Sequence, residues 1–398
     1  MKVFQINICP DLSTGGVMNG IADAVIKNGG KCITACPPKN VCVRDNHYVI
    51  GNNIDRKIHI VLGKLIGFEY SMSLRATIKL INKIEREKPD IVHLHNMHSY
   101  YINLPVLMNY LAKTKKKVVW TFHDCWPITG HCPHFVSVNC NKWRTGCRSC
   151  PLYKQYPYSM IDTAFIKYRQ KKKWFARLEH LTIVTPSEWL CSIVQASFLQ
   201  NKSINVINNG IDLSLFTPAE ETYEGFRKYS GKKIVLGVSS RWDYKKGLDV
   251  FVQLSEHLTD EYKIVLVGTD EIVDQNLPNC IESIHRTADV GQLARIYSSA
   301  DVFVNPTRED TFPTVNMEAL ACGTPVITFD TGGSPEIISE ACGVVIKQND
   351  IEALEREVIR ICEQKPYNSA MCRQRALKYG KIDKFQEYVD LYKSILQE

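Results

Sequence analysis

The run Val302-Phe-Val-Asn-Pro-Thr-Arg-Glu-Asp310-Thr-Phe-Pro-Thr-Val-Asn-Met-Glu318-Ala-Leu-Ala-Cys-Gly-Thr-Pro-Val326-Ile-Thr328 reads as a short strand at Val302–Val304, a polar loop, a helix at Val315–Ala321 and a second strand at Val326–Thr328. A strand, a helix and a strand in so short a span predict a parallel crossover, hence an α/β fold. The loop also sets two carboxylates, Asp310 and Glu318, on either side of a loop-to-helix junction.

Working outward, the same alternation fills the chain. Further strands are expected at Ile234–Val238, Ile264–Val267, Ile281–Ile284 and Val344–Ile346, with helices at Leu248–His257, Val290–Ser298 and Ile351–Cys362. In the first half, strands are expected at Val3–Ile8, Lys31–Thr34, Ile58–Leu62, Ile91–Leu94, Val118–Phe122, Thr182–Val184 and Asn205–Ile207. Helices are expected there at Val17–Asn28, Ser73–Glu87, Leu104–Ala112 and Glu188–Ser197. At 398 residues the chain is long for one core. The expectation is two doubly wound, Rossmann-like parallel-sheet domains, joined in the polar stretch Asp212–Lys232. Ligands of such sheets sit beyond the carboxyl ends of the strands, so the expected active site is a cleft between the domains.

A hydrophobic fraction of 44% and a charged fraction of 23% are ordinary for a globular protein. The net charge of +7 suits an anionic ligand or an acidic membrane surface and is too weak to argue for nucleic acid. No apolar run approaches the ~18 residues of a membrane span. The N-terminal run Lys2-Val-Phe-Gln-Ile-Asn-Ile-Cys9 reads as a first strand with no cleavage site after it, so a cytoplasmic protein is expected.

Candidate site residues cluster after strand ends. In Ser-Ser-Arg241-Trp-Asp-Tyr-Lys-Lys246-Gly247, the Arg241 fork and the Lys246 point charge suit a diphosphate. Asp310 and Glu318 can accept hydrogen bonds from sugar hydroxyls, although Asp310 could equally cap the helix that follows. In Thr14-Gly15-Gly16, glycines opening a helix let backbone N–H groups approach an anion. His123, in His123-Asp124, ends a strand and can bond a hydroxyl or a developing charge; His93 and His95 read as packing or supporting residues. Together the cations and carboxylates suit a nucleotide sugar.

Cys125, Cys132, Cys140, Cys147 and Cys150 crowd one irregular segment with His131 and His134. Cys147-x-x-Cys150 has zinc-knuckle spacing, and such an excursion needs a staple. The expectation is a structural zinc on Cys132, Cys140, Cys147 and Cys150, with an iron–sulfur cluster and unliganded thiols as alternatives. The run Ile166-Lys-Tyr-Arg-Gln-Lys-Lys-Lys-Trp-Phe-Ala-Arg177 is basic with interleaved aromatics. Helical spacing brings Phe165, Trp174 and Leu178 near a basic face, as in a membrane-surface helix; a solvated helix packing its aromatics on the sheet is the other reading.

These motifs as an ensemble resemble the family-4 retaining glycosyltransferases of GT-B fold, over nearly the whole length. The resemblance rests on Arg241-x-x-x-x-Lys246-Gly247, on Asp310-x-x-x-x-x-x-x-Glu318-Ala-x-x-Cys-Gly-Thr-Pro-Val and on Gly332-Gly333-Ser-Pro-Glu336. In the first half it rests on Gly15-Gly16, Thr-Phe-His123-Asp124 and Asn209-Gly210-Ile-Asp212. The run His123-Asp-Cys-Trp-Pro-Ile-Thr-Gly-His-Cys132, with Cys140-Asn-Lys-Trp143 and Gly-Cys147-Arg-Ser-Cys150-Pro, resembles the subgroup that makes exopolysaccharides of the colanic-acid kind.

The resemblance implies an acceptor-side domain at 1–212 with the Cys-rich insertion 125–151. It implies a donor domain at 213–383 and a last helix, 384–398, crossing back to the first domain. It implies Arg241, Lys246 and Gly16 at the donor diphosphate, Glu318 at the ribose, and Asp310 and His123 at the transferred sugar. The family usually has Glu where Asp310 stands, and Glu309 lies just before it. The implied reaction moves a hexose from a UDP- or GDP-linked sugar to a saccharide or polyprenyl-diphosphate-linked acceptor. Configuration is retained, and no catalytic metal is expected in the absence of an Asp-x-Asp motif. Separately from the resemblance, the expected location is cytoplasmic, with peripheral contact on the inner face of the plasma membrane as the alternative to a freely diffusing protein. The rival readings are a sugar-nucleotide epimerase or phosphorylase on the same fold, and a non-catalytic, metal-dependent binding module.

Overall fold

A computed structural model describes residues 1–38 and 44–397. The chain divides into two compact units, Met1–Asn208 with Ile382–Glu398, and Asn209–Lys381.

The first unit holds strands β1 (Lys2–Ile6), β2 (Lys31–Cys36), β3 (His47–Val49), β4 (Ile91–Leu94), β5 (Lys117–Thr121), β6 (Leu181–Thr185) and β7 (Ser203–Val206). They pair in parallel, in the order β3-β2-β1-β4-β5-β6-β7. Its helices are α1 (Leu12–Lys27), α2 (Asn53–Ile66), α3 (Leu74–Glu87), α4 (Leu104–Thr114), α5 (Ala164–Arg177) and α6 (Glu188–Gln195). The second unit holds β8 (Lys233–Val238), β9 (Tyr262–Val267), β10 (Ile281–Ile284), β11 (Val302–Asn305), β12 (Val326–Phe329) and β13 (Gly343–Ile346). These are also parallel, in the order β10-β9-β8-β11-β12-β13. Its helices are α7 (Leu248–His257), α8 (Glu271–Asp274), α9 (Val290–Ser298), α10 (Thr314–Ala321), α11 (Ser334–Ile337), α12 (Ile351–Gln364) and α13 (Ser369–Ala376). The chain closes with α14 (Lys381–Gln397).

Each sheet is buried on both faces, and its central strands are mainly apolar, with a few buried polar residues such as Gln5 of β1 and His93 of β4. Along β1, Phe4 and Ile6 join the core on one face and Val3 the core on the other. Along β8, Ile234 and Leu236 face one core and Val235 the opposite one. The last helix belongs to the first unit's packing. A Cβ on Gly20 of α1 would lie 1.9 Å from the Phe385 ring of α14, so only glycine admits that ring. Tyr388, Val389 and Tyr392 of α14 are buried in the same core.

The expected strand at Ile58–Leu62 is instead part of α2. Apart from His59 the local run Ile58–Leu62 is apolar, which a strand and a helix can both show. The helix is started by Asn52, whose side chain accepts the Asp55 N–H at 2.8 Å, and ended by Gly67 in the left-handed region at φ 77°.

Candidate active site

In the second unit the site is built on three loops that leave strand ends. After β8, the Ser239 hydroxyl donates to the Arg241 carbonyl at 2.7 Å, and buried Trp242 pins the turn by donating Nε1–H to Val267 O at 3.0 Å. Asp243 then caps a single turn of 3₁₀ helix, accepting the Lys246 N–H at 3.0 Å. Gly247 follows at φ 76°, and a Cβ there would sit 2.6 Å from Pro306 O. The turn therefore needs glycine twice over, for its hand and for its closeness to the loop after β11.

That contact brings Lys246 to Asp310, with Nζ 2.8 Å from Oδ2. Burial works against the Lys246 ammonium, but Asp310 outweighs it and leaves the lysine above its ordinary pKa. Lys245 reaches Glu309 instead, at 2.6 Å, and Glu309 is buried. The two neighbouring carboxylates are thus sorted between two neighbouring lysines. Arg241 keeps a largely exposed side chain, its Nε 3.9 Å from Asp243 Oδ2.

Two further residues hold this frame: Arg308, which drew no notice in the sequence, and Gly332, which figured there only within the motif Gly332-Gly333-Ser-Pro-Glu336. Buried Arg308 grips Asp249 of α7 with two bonds of 2.7 and 2.8 Å and lies 3.9 Å over the Tyr244 ring. Gly332, at φ 58°, lets the loop after β12 press on the Asp310 backbone, where a Cβ would fall 1.7 Å from the Asp310 carbonyl oxygen. Gly332→Ala is accordingly expected to destabilise the protein by about 1–3 kcal/mol. Denaturant unfolding checks this, and an unchanged midpoint would show that the loop yields.

Glu318 lies half-buried on α10, accepting the Tyr297 hydroxyl at 3.2 Å. Burial pushes its carboxyl up to about 7, against the opposing hydrogen bonds from Thr314 and Tyr297.

In the first unit, His123 follows β5 and its ring stacks on His95, with Nε2 3.0 Å from His95 Nδ1. Gln5 donates its Nε2–H to Met18 O at 3.0 Å, so its Oε1 accepts from His95 Nε2 at 2.9 Å. His95 then has only its Nδ1 lone pair to offer, and His123 donates Nε2–H to it. The relay leaves Nδ1 as the acceptor nitrogen of His123. Burial holds the His123 pKa down at about 4, so the ring is neutral in ordinary buffers. His93 and His95 are buried and hydrogen-bonded, as supporting residues would be; His93 joins Tyr392 of α14 at 2.5 Å and Thr121 at 2.8 Å.

Gly15 and Gly16 lie inside the first turns of α1 rather than before it. A Cβ on Gly15 would meet Cys9 O at 2.8 Å, whereas one on Gly16 would meet nothing within 4 Å. Gly15 is a packing glycine and Gly16 borders open space.

The zinc expectation is not supported. Cys132, Cys140, Cys147 and Cys150 border one small cavity, yet among the described residues no group of three or more His, Cys, Asp or Glu is arranged to hold a metal ion. Cys147 Sγ is engaged by the Gly130 N–H at 3.1 Å. Cys132 donates to Cys150, which drives the Cys132 pKa well up and the Cys150 pKa down to about 7. The excursion is stapled by other means. Trp143 is buried and stacks on Phe135 at 5.2 Å, and Trp126 donates Nε1–H to buried Glu69 at 2.9 Å. The basic helix α5 supplies the rest. Lys167 pairs with Glu69 at 2.8 Å, and Lys171 lies 3.3 Å from the Trp126 ring centre. Both lysines are buried, so the basic run 166–177 is not simply a charged outer face.

The family model "Glycosyltransferase Family 4" matches residues 21–215, and "Glycosyl transferases group 1" matches residues 220–379. The chain belongs to the family-4 glycosyltransferases. It is 25% identical over 324 residues to the putative colanic acid biosynthesis glycosyl transferase WcaC of Escherichia coli, covering 77% of each chain. The fold is that of sucrose-phosphate synthase from Thermosynechococcus elongatus, with a TM-score of 0.73 at 17% identity over 100% of this chain and 99% of that one. It is also that of Anabaena HepE, solved in complex with UDP, with a TM-score of 0.67 at 13% identity over 99% and 100% of the two chains. Both sheets are therefore those of the GT-B fold, and the protein is a retaining glycosyltransferase that uses a nucleotide sugar. Among the described residues no helix is long and apolar enough to cross a membrane.

Proposed function

We propose that the protein transfers a hexose from a UDP- or GDP-linked donor to a hydroxyl of a growing cell-surface polysaccharide. The likeness to the colanic acid transferase supports the acceptor class, and the family resemblance implies an acceptor carried on polyprenyl diphosphate. The observation that carries the reading is the Lys246–Asp310 pair at 2.8 Å, beside the exposed fork of Arg241.

In this reading Arg241 and Lys246 hold the donor diphosphate and neutralise the charge that develops as it leaves. Asp310 steers Lys246 and meets the transferred sugar. The open face at Gly16 admits the phosphates or the acceptor, and His123 Nδ1 accepts from a sugar hydroxyl. Configuration is retained when the acceptor oxygen bonds to the anomeric carbon on the face the diphosphate leaves, with a leaving-phosphate oxygen taking the acceptor proton. A thermal-shift screen of UDP, GDP and ADP sugars tests the donor class. Product analysis with and without acceptor separates transfer from epimerisation or phosphorolysis, and product formed without acceptor would sink the reading.

Glu318 adds a pH signature. Ribose hydroxyls donate to a carboxylate, so the donor selects the ionised form of a group whose pKa is about 7 in the free protein. Donor affinity is expected to rise as pH climbs through about 7, with protons released on binding. Glu318→Gln should abolish the release, which calorimetry in two buffers of different ionisation enthalpy would measure.

A further inference from the structure

Helix α2 wears its apolar side outward. Its buried residues are His59 and Gly63. His59 accepts the Met72 N–H on Nε2 and donates from Nδ1 to Ser73 at 2.9 Å, while Gly63 lies against the Tyr100 ring. The far side carries Ile54, Ile58, Val61 and Leu65, with Leu62 and Ile66 along its flank towards the end of the helix, and all six are exposed, Ile54 by 71% and Val61 by 58%. A soluble helix is normally built the other way round.

The exposed surface continues past the end of α2. The Met160 N–H donates to Lys64 O at 2.9 Å, and the Thr163 hydroxyl donates to Gly67 O at 2.5 Å. These bonds hold the segment 158–163 alongside α2, where Tyr158, Met160 and Ile161 are exposed. The segment leads into Phe165 and Ile166 at the start of α5, also exposed. So many exposed large apolar side chains on neighbouring segments are uncommon on a free monomer.

Its rim is basic. Lys57 flanks the stripe on α2, and Lys64 lies 5.9 Å over the Tyr158 ring. Arg148 and Arg169 lie 4.8 and 5.5 Å over Phe165, and Lys172 and Lys173 are exposed one turn further along α5. Of the nearby acids, Asp162 is occupied by the N–H groups of Cys150 and Ala164.

We infer that α2, the segment 158–163 and the start of α5 form the face by which the protein sits on an anionic lipid bilayer. Aliphatic side chains enter the acyl boundary while lysine and arginine heads reach the phosphates. A second copy of the chain is the poorer occupant, because a two-fold interface would bring like-charged rims together. The inference goes beyond the proposed transfer reaction and does not depend on it.

Sedimentation of the full chain with vesicles is the test. Binding is expected with vesicles of phosphatidylcholine and phosphatidylglycerol mixed about two to one, with at least ~10-fold weaker binding to phosphatidylcholine alone and weakening with salt. Ile58→Asp with Leu62→Asp should abolish it, and Lys57→Glu with Lys64→Glu should weaken it by about 10-fold or more. These side chains are exposed or at the rim, so circular dichroism melting and the thermal shift with donor nucleotide should stay near the parent values. Absence of binding to anionic vesicles, or binding indifferent to both pairs of substitutions, would overturn the inference. So would a dimer in analytical ultracentrifugation that the Ile58→Asp/Leu62→Asp variant dissolves. Failure of nucleotide binding with vesicle binding intact would instead count against the donor site alone.

Discussion

Lys246→Ala and Arg241→Ala are each expected to lower turnover by about 10²–10³-fold while the unfolding midpoint stays near that of the parent protein. The rate effect follows from electrostatics. A nucleoside diphosphate gains charge as the glycosidic bond breaks, and preorganised cations matter most where charge develops. Lys246 is preorganised because Gly247 and Pro306 press its turn onto the Asp310 loop. The stability effect is small for a different reason. Arg241 is largely exposed, and the Lys246–Asp310 pair is only partly buried, so both sit in the range where surface pairs contribute about 0–1 kcal/mol. Steady-state kinetics with a matched melting curve would check both halves. Near-normal turnover in either variant would remove that residue from the diphosphate site.

The second large effect concerns stability. Lys167→Met is expected to cost about 3–5 kcal/mol, because it leaves the Glu69 carboxylate buried and unpaired. Lys167 has no exposed side-chain surface and Glu69 has 2%. Burial alone would raise the Glu69 pKa, but the charges of Lys167 and Lys171 outweigh it and hold it at about 2. The sign of the pH dependence follows. The pair's contribution is fully present above the ordinary glutamate range, near pH 4.5, and is lost as pH falls from there towards about 2. In the Lys167→Met variant this acid-side loss should largely vanish, and Lys167→Met with Glu69→Gln should recover part of the stability. A Lys167→Met protein as stable as the parent at neutral pH would contradict the account of how the cysteine-rich excursion is held.

What the sequence revealed, and what it hid, follows the range of the forces involved. Helices α7 and α9 were legible to the residue, because local signals bound them: Gly247 before one, and Asp289 accepting the Gln292 N–H at 2.7 Å before the other. The loop that carries Asp310 was legible as a strand-to-helix junction for the same reason. Helix α2 reads as a strand in sequence because Ile58–Leu62 is apolar but for His59. Its helical spacing shows only when Ile54, Leu65 and Ile66 are counted with it, and the face they form is not spent on the core. Burial of Lys167 and Lys171 was hidden because their partners Glu69 and Trp126 lie far away in the chain. The Gln5–His95–His123 relay is likewise assembled by parallel pairing of β1 with β4 and β4 with β5. The four cysteines had metal-like spacing, but spacing along the chain does not fix the direction of a thiol, and here hydrogen bonds and aromatic packing do the stapling.

The grip of Arg241 and Lys246 on a diphosphate is the centre of the account, and calorimetric titration with nucleotides tests it most directly. UDP or GDP should bind at least ~10-fold more tightly than the matching monophosphate, since a second phosphate adds charge-assisted hydrogen bonds. In the Lys246→Ala and Arg241→Ala proteins that preference should shrink towards unity while monophosphate affinity is nearly kept. A diphosphate preference that persists at full size in both variants would contradict it.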